Sequence, residues 1–307
     1  MRPSTVINRI AALAVAAVTS VLAQGGMLAF TSEDAAFAYE TAAGLVSNCT
    51  PRNAGTPGAV RAAAWLAKRA GAHGLPARLD RFQANVYADR LDFANVVAEM
   101  PGTDPKTPWI ILLSHFDTAP NVAAGFQGAN DGASTCGLVM ALGRVLRRES
   151  RRRMNVMLVW TDGEECRIAY MPRDGFQGSK HLLETVRTRR LPVKAVICLD
   201  MLGDRDLNVV VPSNSSPGLK AIAQKAADAI GAADWFSLRE TIAVKDDHSA
   251  FFDAGYPAID LIDFEFGSAP GKNDYWHTPK DTLDKISKKS LFHAGRLVVG
   301  ILDRLMQ

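Results

Sequence analysis

Three short runs in the middle of the chain are apolar at every position. They are Trp109-Ile110-Ile111-Leu112-Leu113, Val156-Met157-Leu158-Val159-Trp160 and Ala195-Val196-Ile197-Cys198-Leu199. None alternates between wet and dry residues. A strand that is apolar on both sides must be covered on both sides, as in parallel sheets flanked by helices. The segments between and around them fit that demand: Leu138 to Leu146, Gly178 to Arg187, Leu219 to Ile230 and Leu291 to Leu305 carry helical spacing. Helices are also predicted over Ala35 to Val46 and Val60 to Ala70. Further strands are predicted over Leu79 to Asn85, Asn95 to Met100, Leu207 to Val211 and Ala258 to Ile262. Strands alternating with helices define an α/β protein with a mainly parallel sheet. A chain of 307 residues can build one such domain around a sizeable core.

The N-terminus reads differently. Arg2 and Arg9 precede an apolar stretch from Ile10 to Leu22, and Val21-Leu22-Ala23 ends in small residues. That is the pattern of an export signal cleaved after residue 23. It predicts an exported, periplasmic or extracellular protein with no stable membrane span once the signal is removed, the stretch being short for a spanning helix. Residues 33–307 then read as one catalytic domain. Export permits disulfides among Cys49, Cys136, Cys166 and Cys198, whose spacing selects no pairing. A net charge of +3 is modest, and its densest cluster, Arg147 to Arg153, falls at a predicted helix end that suits cations. No aromatic-interleaved basic motif accompanies it, so nucleic acid is not an expected partner.

In open α/β sheets, ligands bind beyond the carboxyl ends of the strands. Three predicted strands each deliver an acid or histidine to that rim. His115 and Asp117 follow the first, Glu164 and Glu165 the second, and Asp200 closes the third. Alone, Glu164-Glu165 reads as a solvated acidic turn, Asp131 as a helix cap, and His115 as a core histidine. Together they form a mixed donor set. Zinc takes histidine nitrogen and carboxylate oxygen, and a catalytic site leaves one position open. Asp131, Glu165 and His277 would supply three ligands. Glu164, one residue from a ligand, is then placed as general acid/base. His115 and Asp200 could complete a second metal position with Asp131 as bridge, and Asp117 would orient His115. His73, His181 and His293 have no such company and read as structural.

Five motifs carry these residues: Ser114-His115-Phe116-Asp117-Thr118, Gly128-Ala129-Asn130-Asp131-Gly132, Asp162-Gly163-Glu164-Glu165, Leu199-Asp200-Met201 and Tyr275-Trp276-His277-Thr278-Pro279. In this order they resemble the zinc-dependent aminopeptidase superfamily that also contains the glutaminyl-peptide cyclotransferases. The resemblance runs from about Pro51 to the last helix. It implies a three-layer α/β/α sandwich with a central, mostly parallel mixed sheet. It implies zinc, two ions in the aminopeptidases and one in the cyclases, and peptide or protein N-termini as substrates. The stretch from Cys166 to Leu182 resembles the cyclases in its length and in its Pro, Asp, Gly-Ser and His-Leu positions. By that resemblance Tyr170 and Trp276 line the substrate pocket, while Asp200 and Asp246 share a hydrogen-bond network with Glu164. Gly132 stands where the animal cyclases carry Ser, Tyr170 where they carry Trp, and Asp260 where they carry His. The expected function is cyclisation of an N-terminal Gln with release of ammonia. The alternatives are hydrolysis of the first peptide bond by a two-zinc aminopeptidase and a non-catalytic exported binding domain.

Overall fold

The computed structural model describes residues 28–149, 152–239 and 241–307. The predicted export signal, residues 1–23, lies outside them. In chain order the helices are α1 (Ser32–Cys49), α2 (Pro57–Ala72), α3 (Thr135–Arg148), α4 (Gln177–Thr188), α5 (Pro217–Ile230), α6 (His248–Asp253) and α7 (Lys288–Met306). The strands are β1 (Ala77–Val86), β2 (Asp89–Met100), β3 (Trp109–His115), β4 (Asn155–Thr161), β5 (Val193–Asp200), β6 (Val209–Pro212), β7 (Phe236–Arg239) and β8 (Ala258–Ile262).

The three apolar runs are β3, β4 and β5, adjacent and parallel, with β3 between the other two. The sheet has eight strands in the order β1-β2-β4-β3-β5-β8-β6-β7. From β3 the chain passes to β4 on one side, then crosses to β5 on the other. The carboxyl end of β3 is therefore a topological switch point, where a crevice opens. The sheet is mixed, because β1, β2 and β4 pair antiparallel and so do β6 and β8.

Strand geometry sorts the apolar side chains by parity. Ile110, Leu112, Val156, Leu158, Ala195 and Ile197 face a core shared with α1, α2, α3, α5 and α7. Their neighbours Ile111, Leu113, Met157, Val159, Val196 and Cys198 face the opposite core with α4 and α6. These are the two helical layers of an α/β/α sandwich. Leu28 and Phe30, ahead of residue 33, pack into the first core.

Some elements depart from expectation. β2 begins at Asp89, well before Asn95, and makes a long hairpin with β1. The predicted strand Leu207 to Val211 is observed over Val209–Pro212. β7 and α6 were not anticipated, being only four and six residues long with no periodicity to read. Two arginines of the cluster have structural roles. Arg148 grips Asp34 at the start of α1, and buried Arg152 donates to the carbonyls of Leu146 and Met100. All four cysteines are free thiols. Among the described residues no helix is long and apolar enough to cross a membrane.

Candidate metal centre

The rim of β3, β4 and β5 gathers the predicted residues into one buried cluster. His115 is the last residue of β3, and Asp200 the last of β5. Asp131 lies in the turn Ala129–Ser134 that leads into α3, and the two glutamates follow β4. His277 comes from the loop ahead of α7. His115 Nε2 lies 3.1 Å from Asp131 Oδ1 and 3.3 Å from Asp200 Oδ1. His277 Nε2 lies 3.0 Å from Glu165 Oε1 and 3.3 Å from Asp131 Oδ2. Asp131 thus belongs to two groups of three side chains, His115–Asp131–Asp200 and Asp131–Glu165–His277, either of which could hold a metal ion.

The electrostatics are those of a site short of positive charge. Burial works against both imidazolium ions, yet their carboxylate partners win, raising His115 well above its ordinary range and His277 to about 10. Burial also works against ionised Asp131, and the two histidines overcome it and lower its pKa. For the remaining acids burial and neighbouring carboxylates win, even where a histidine is in contact, as at Glu165 and Asp200. Burial and the charge of Asp131 push Glu165 up to about 7, and burial with the charge of Glu165 pushes Glu164 well up. Burial raises Asp200, and raises Asp246 to about 6. Oδ2 of Asp131 is buried without a hydrogen-bond donor. A dication among these oxygen and nitrogen donors relieves both the excess of acids and the orphaned oxygen, so the donor set fits zinc.

Two aspartates set the backbone that carries these ligands. Asp117 accepts hydrogen bonds from the amides of Glu164 and Glu165, both at 3.1 Å. Asp281 does the same for Asn130 and Asp131, at 2.7 and 3.1 Å. Asp117 also faces the other ring nitrogen of His115, 3.6 Å from Nδ1, and its charge favours the imidazolium. Sequence reasoning missed Asp281 altogether. The available signal was its place four residues after His277. Arg52, fully buried, donates to the carbonyls of Phe116, Gln127 and Gly128 and ties the loop ahead of Asp131 to the end of β3.

The backbone is unusual where the ligands sit. Gly132 has φ +86° and ψ −45°, near a strained three-residue turn that side chains avoid. A Cβ there would lie 3.1 Å from the His115 ring and 3.2 Å from two backbone oxygens. His277 at φ +51° and Met201 at φ +55° hold left-handed conformations without being glycine, the kind of strain that collects at functional sites.

Beside the donors lies a cavity of about 220 Å³, lined by Glu164, Glu165, Tyr170, Asp246, Val244, Phe264 and Trp276 among others. Both predicted pocket residues are there. The Tyr170 hydroxyl donates to Glu164 Oε2 at 3.3 Å and to Glu165 Oε2 at 3.2 Å. The Trp276 ring stacks on His277 with centroids 4.0 Å apart. The expected hydrogen-bond chain from Glu164 to Asp200 and Asp246 takes another form. Asp200 contacts His115, while Asp246 accepts from the Cys198 thiol and the Asp247 amide. No direct hydrogen bond joins Asp246 to Glu164, and the charge of Asp246 adds to the upward push on Glu164. His73, His181 and His293 pack against Phe37, Phe82 and Trp235, away from the centre.

A doubly covered sheet with acids and histidines gathered at its switch point defines a class: α/β/α proteins of the zinc-exopeptidase type. Within that class the chain belongs to peptidase family M28, whose model matches residues 95–302. It is 27% identical over 281 residues to the glutaminyl-peptide cyclotransferase-like protein of Bos taurus, spanning 82% of this chain and 71% of that one. The crystal structure of Acidobacteriales bacterium glutaminyl cyclase superposes with a TM-score of 0.83 at 32% identity, over 92% of this chain and 98% of the other. A Zn-dependent exopeptidase from Parabacteroides distasonis superposes with a TM-score of 0.74 at 20% identity, over 89% and 98%, and shares the fold.

Proposed function

We propose that this chain is a zinc-dependent, glutaminyl-peptide cyclotransferase-like enzyme that closes an N-terminal glutamine onto itself. One observation carries the reading. The segment after Glu165 folds back so that Tyr170 meets both glutamates and narrows the cavity beside them to about 220 Å³. A small pocket ending on a candidate acid/base suits a reaction within one bound residue, with water kept out. The likeness to the Acidobacteriales enzyme supports the same reading.

Asp131, Glu165 and His277 would hold the zinc, which when bound supplies a Lewis acid for the γ-carbonyl. Glu164 takes a proton from the α-amine as its nitrogen bonds to the γ-carbonyl carbon. The bond from that carbon to the side-chain amide nitrogen then breaks. Glu164 returns the proton to this nitrogen, which leaves as ammonia. Burial holds the Glu164 carboxyl above its ordinary range, and the neighbouring charges of Asp246 and Asp247 push the same way. Asp200, beside His115, would complete the acidic surroundings of the centre. Trp276 and Tyr170 flank the side chain and limit its rotation. Peptide or protein N-termini are the substrates, and the leader in residues 1–23 puts the work in the periplasm or outside the cell.

Hydrolysis of the first peptide bond by a two-zinc centre is the second reading. It is favoured by the second donor group, His115, Asp131 and Asp200. Glu164 then takes its proton from water. A non-catalytic binding domain has nothing in its favour, since neither a donor nor Glu164 is missing. The discriminating assay pairs a Gln-initiated with a Leu-initiated peptide and weighs the products. Loss of one ammonia from the first is expected. Free leucine from the second, with the first untouched, would reverse the assignment.

A further inference from the structure

A second cavity, of about 520 Å³, opens on the other side of Glu165. Glu165 lines both cavities, so the second lies next to the first and within reach of a chain whose first residue occupies it. The walls of the second come from the tip of the β1–β2 hairpin with Tyr87 and Leu91, from the segment after Glu165 with Arg167 and Ile168, and from the loops that carry Asn53 and Asn121.

The two walls are fastened together. Val86 pairs with Asp89 across a two-residue turn in which Tyr87 holds φ +53°. Arg167 Nη1 donates to Asp89 Oδ2 at 2.8 Å, joining the segment to the hairpin tip. Asp174 accepts from the amides of Arg167, Ile168 and Ala169, which fixes the segment's shape, and the Tyr87 hydroxyl faces the same carboxylate. Large apolar side chains are exposed at this mouth: Tyr87 at 42% and Ile168 at 76%. Leu91 stands half-buried behind them. The lining is mixed: Asn53, Thr56, Asn121 and Arg167 can bond a peptide backbone, while Tyr87, Leu91 and Ile168 offer apolar contact to its side chains.

We infer that this cavity receives the second and third residues of the substrate peptide, and that Tyr87, Leu91 and Ile168 favour apolar side chains there. The inference rests on the proposed reading that a peptide N-terminus enters the first cavity. It makes the hairpin tip, distant in sequence from every metal donor, a determinant of specificity.

The test compares glutaminamide, which has no second residue, with the peptide Gln-Leu-Phe-Gly, using wild-type protein and the Leu91→Ala/Ile168→Ala variant. Val60→Ala, at a solvent-exposed apolar position that lines neither cavity, serves as the control and should turn over both substrates as wild type does. The expected result is a loss of about tenfold in kcat/KM for the peptide, carried by KM, with glutaminamide turned over as before. Equal losses on both substrates, or none on either, would overturn the inference. Calorimetric titration of the same two ligands reads binding without chemistry. Wild type that binds the peptide but turns over neither ligand sinks the cyclisation reading alone, and the cavity then stands or falls on whether the variant weakens that binding. Wild type that binds the peptide no better than glutaminamide sinks the cavity assignment.

Discussion

Asp281 shows how much a single carboxylate does here without touching a ligand's side chain. It is buried, its oxygens accept the amides of Asn130 and Asp131, and burial with the charge of Asp131 raises it to about 7. In Asp281→Asn one of those positions becomes an NH2 group facing an N–H. The expected result is a loss of about 1–3 kcal/mol in stability, from one unpaired buried donor, and a fall of about 10–100-fold in zinc affinity. Chelator competition and thermal melts on one preparation measure both; unchanged zinc affinity would refute the positioning role. Glu164→Gln is expected to lose about 10²–10⁴-fold in turnover with zinc still bound, and retention of full turnover would remove Glu164 from the mechanism. The contrast between these residues explains what the sequence could reveal. Glu165 stood out because its type matches a metal and it follows a strand end, whereas Asp131, before a helix, and His277, in a loop, stood out by type and motif alone. Asp281 works by accepting backbone amides 150 residues away, and no local pattern announces such a bond.

At the scale of elements, the entry to α1 has a charge-dependent anchor. Thr31 caps the helix, Asp34 reaches back to the Thr31 amide and hydroxyl, and Arg148 at the end of α3 binds both Asp34 oxygens at 2.9 and 2.7 Å. Burial works to raise the Asp34 pKa, but the bonds from Arg148 and Thr31 outweigh it and lower the value. A carboxyl with a lowered folded pKa stabilises above its unfolded pKa, about 3.9, and that stability is lost as pH falls through the folded value. Asp34→Asn should therefore cost about 1–2 kcal/mol near neutrality, with the gap to wild type closing below about pH 3. Denaturant melts at two pH values check this; a gap that widens in acid would contradict it. Elements were legible where burial was total. β3, β4 and β5 are apolar at successive positions because both faces are covered. β7 and α6 are too short to show a period, and the outer half of β2 is exposed on its edge, so tertiary pairing defines them.

At the scale of the molecule, the two helical layers and the parallel centre followed from the apolar runs, but the strand order did not. Nothing local says that β5 returns to the far side of β3, and that return creates the crevice. The metal is expected to be separable from this architecture, because its donors end rigid elements. Removing zinc with a chelator should abolish activity, leave far-UV circular dichroism unchanged and lower Tm by on the order of 10 °C at saturating metal. Adding zinc back should restore both. Collapse of the circular dichroism would show instead that the ion organises the fold.

The paired amide grips of Asp117 and Asp281 carry a consequence for the order in which this protein matures. Both turns that present donors are held by the chain's own carboxylates. On this arrangement folding is expected to run ahead of the ion, with the turns already shaped when it arrives. The polypeptide can be completed empty and charged afterwards, in whatever compartment supplies the metal. How tightly it then holds its cargo is set by geometry prepared in advance.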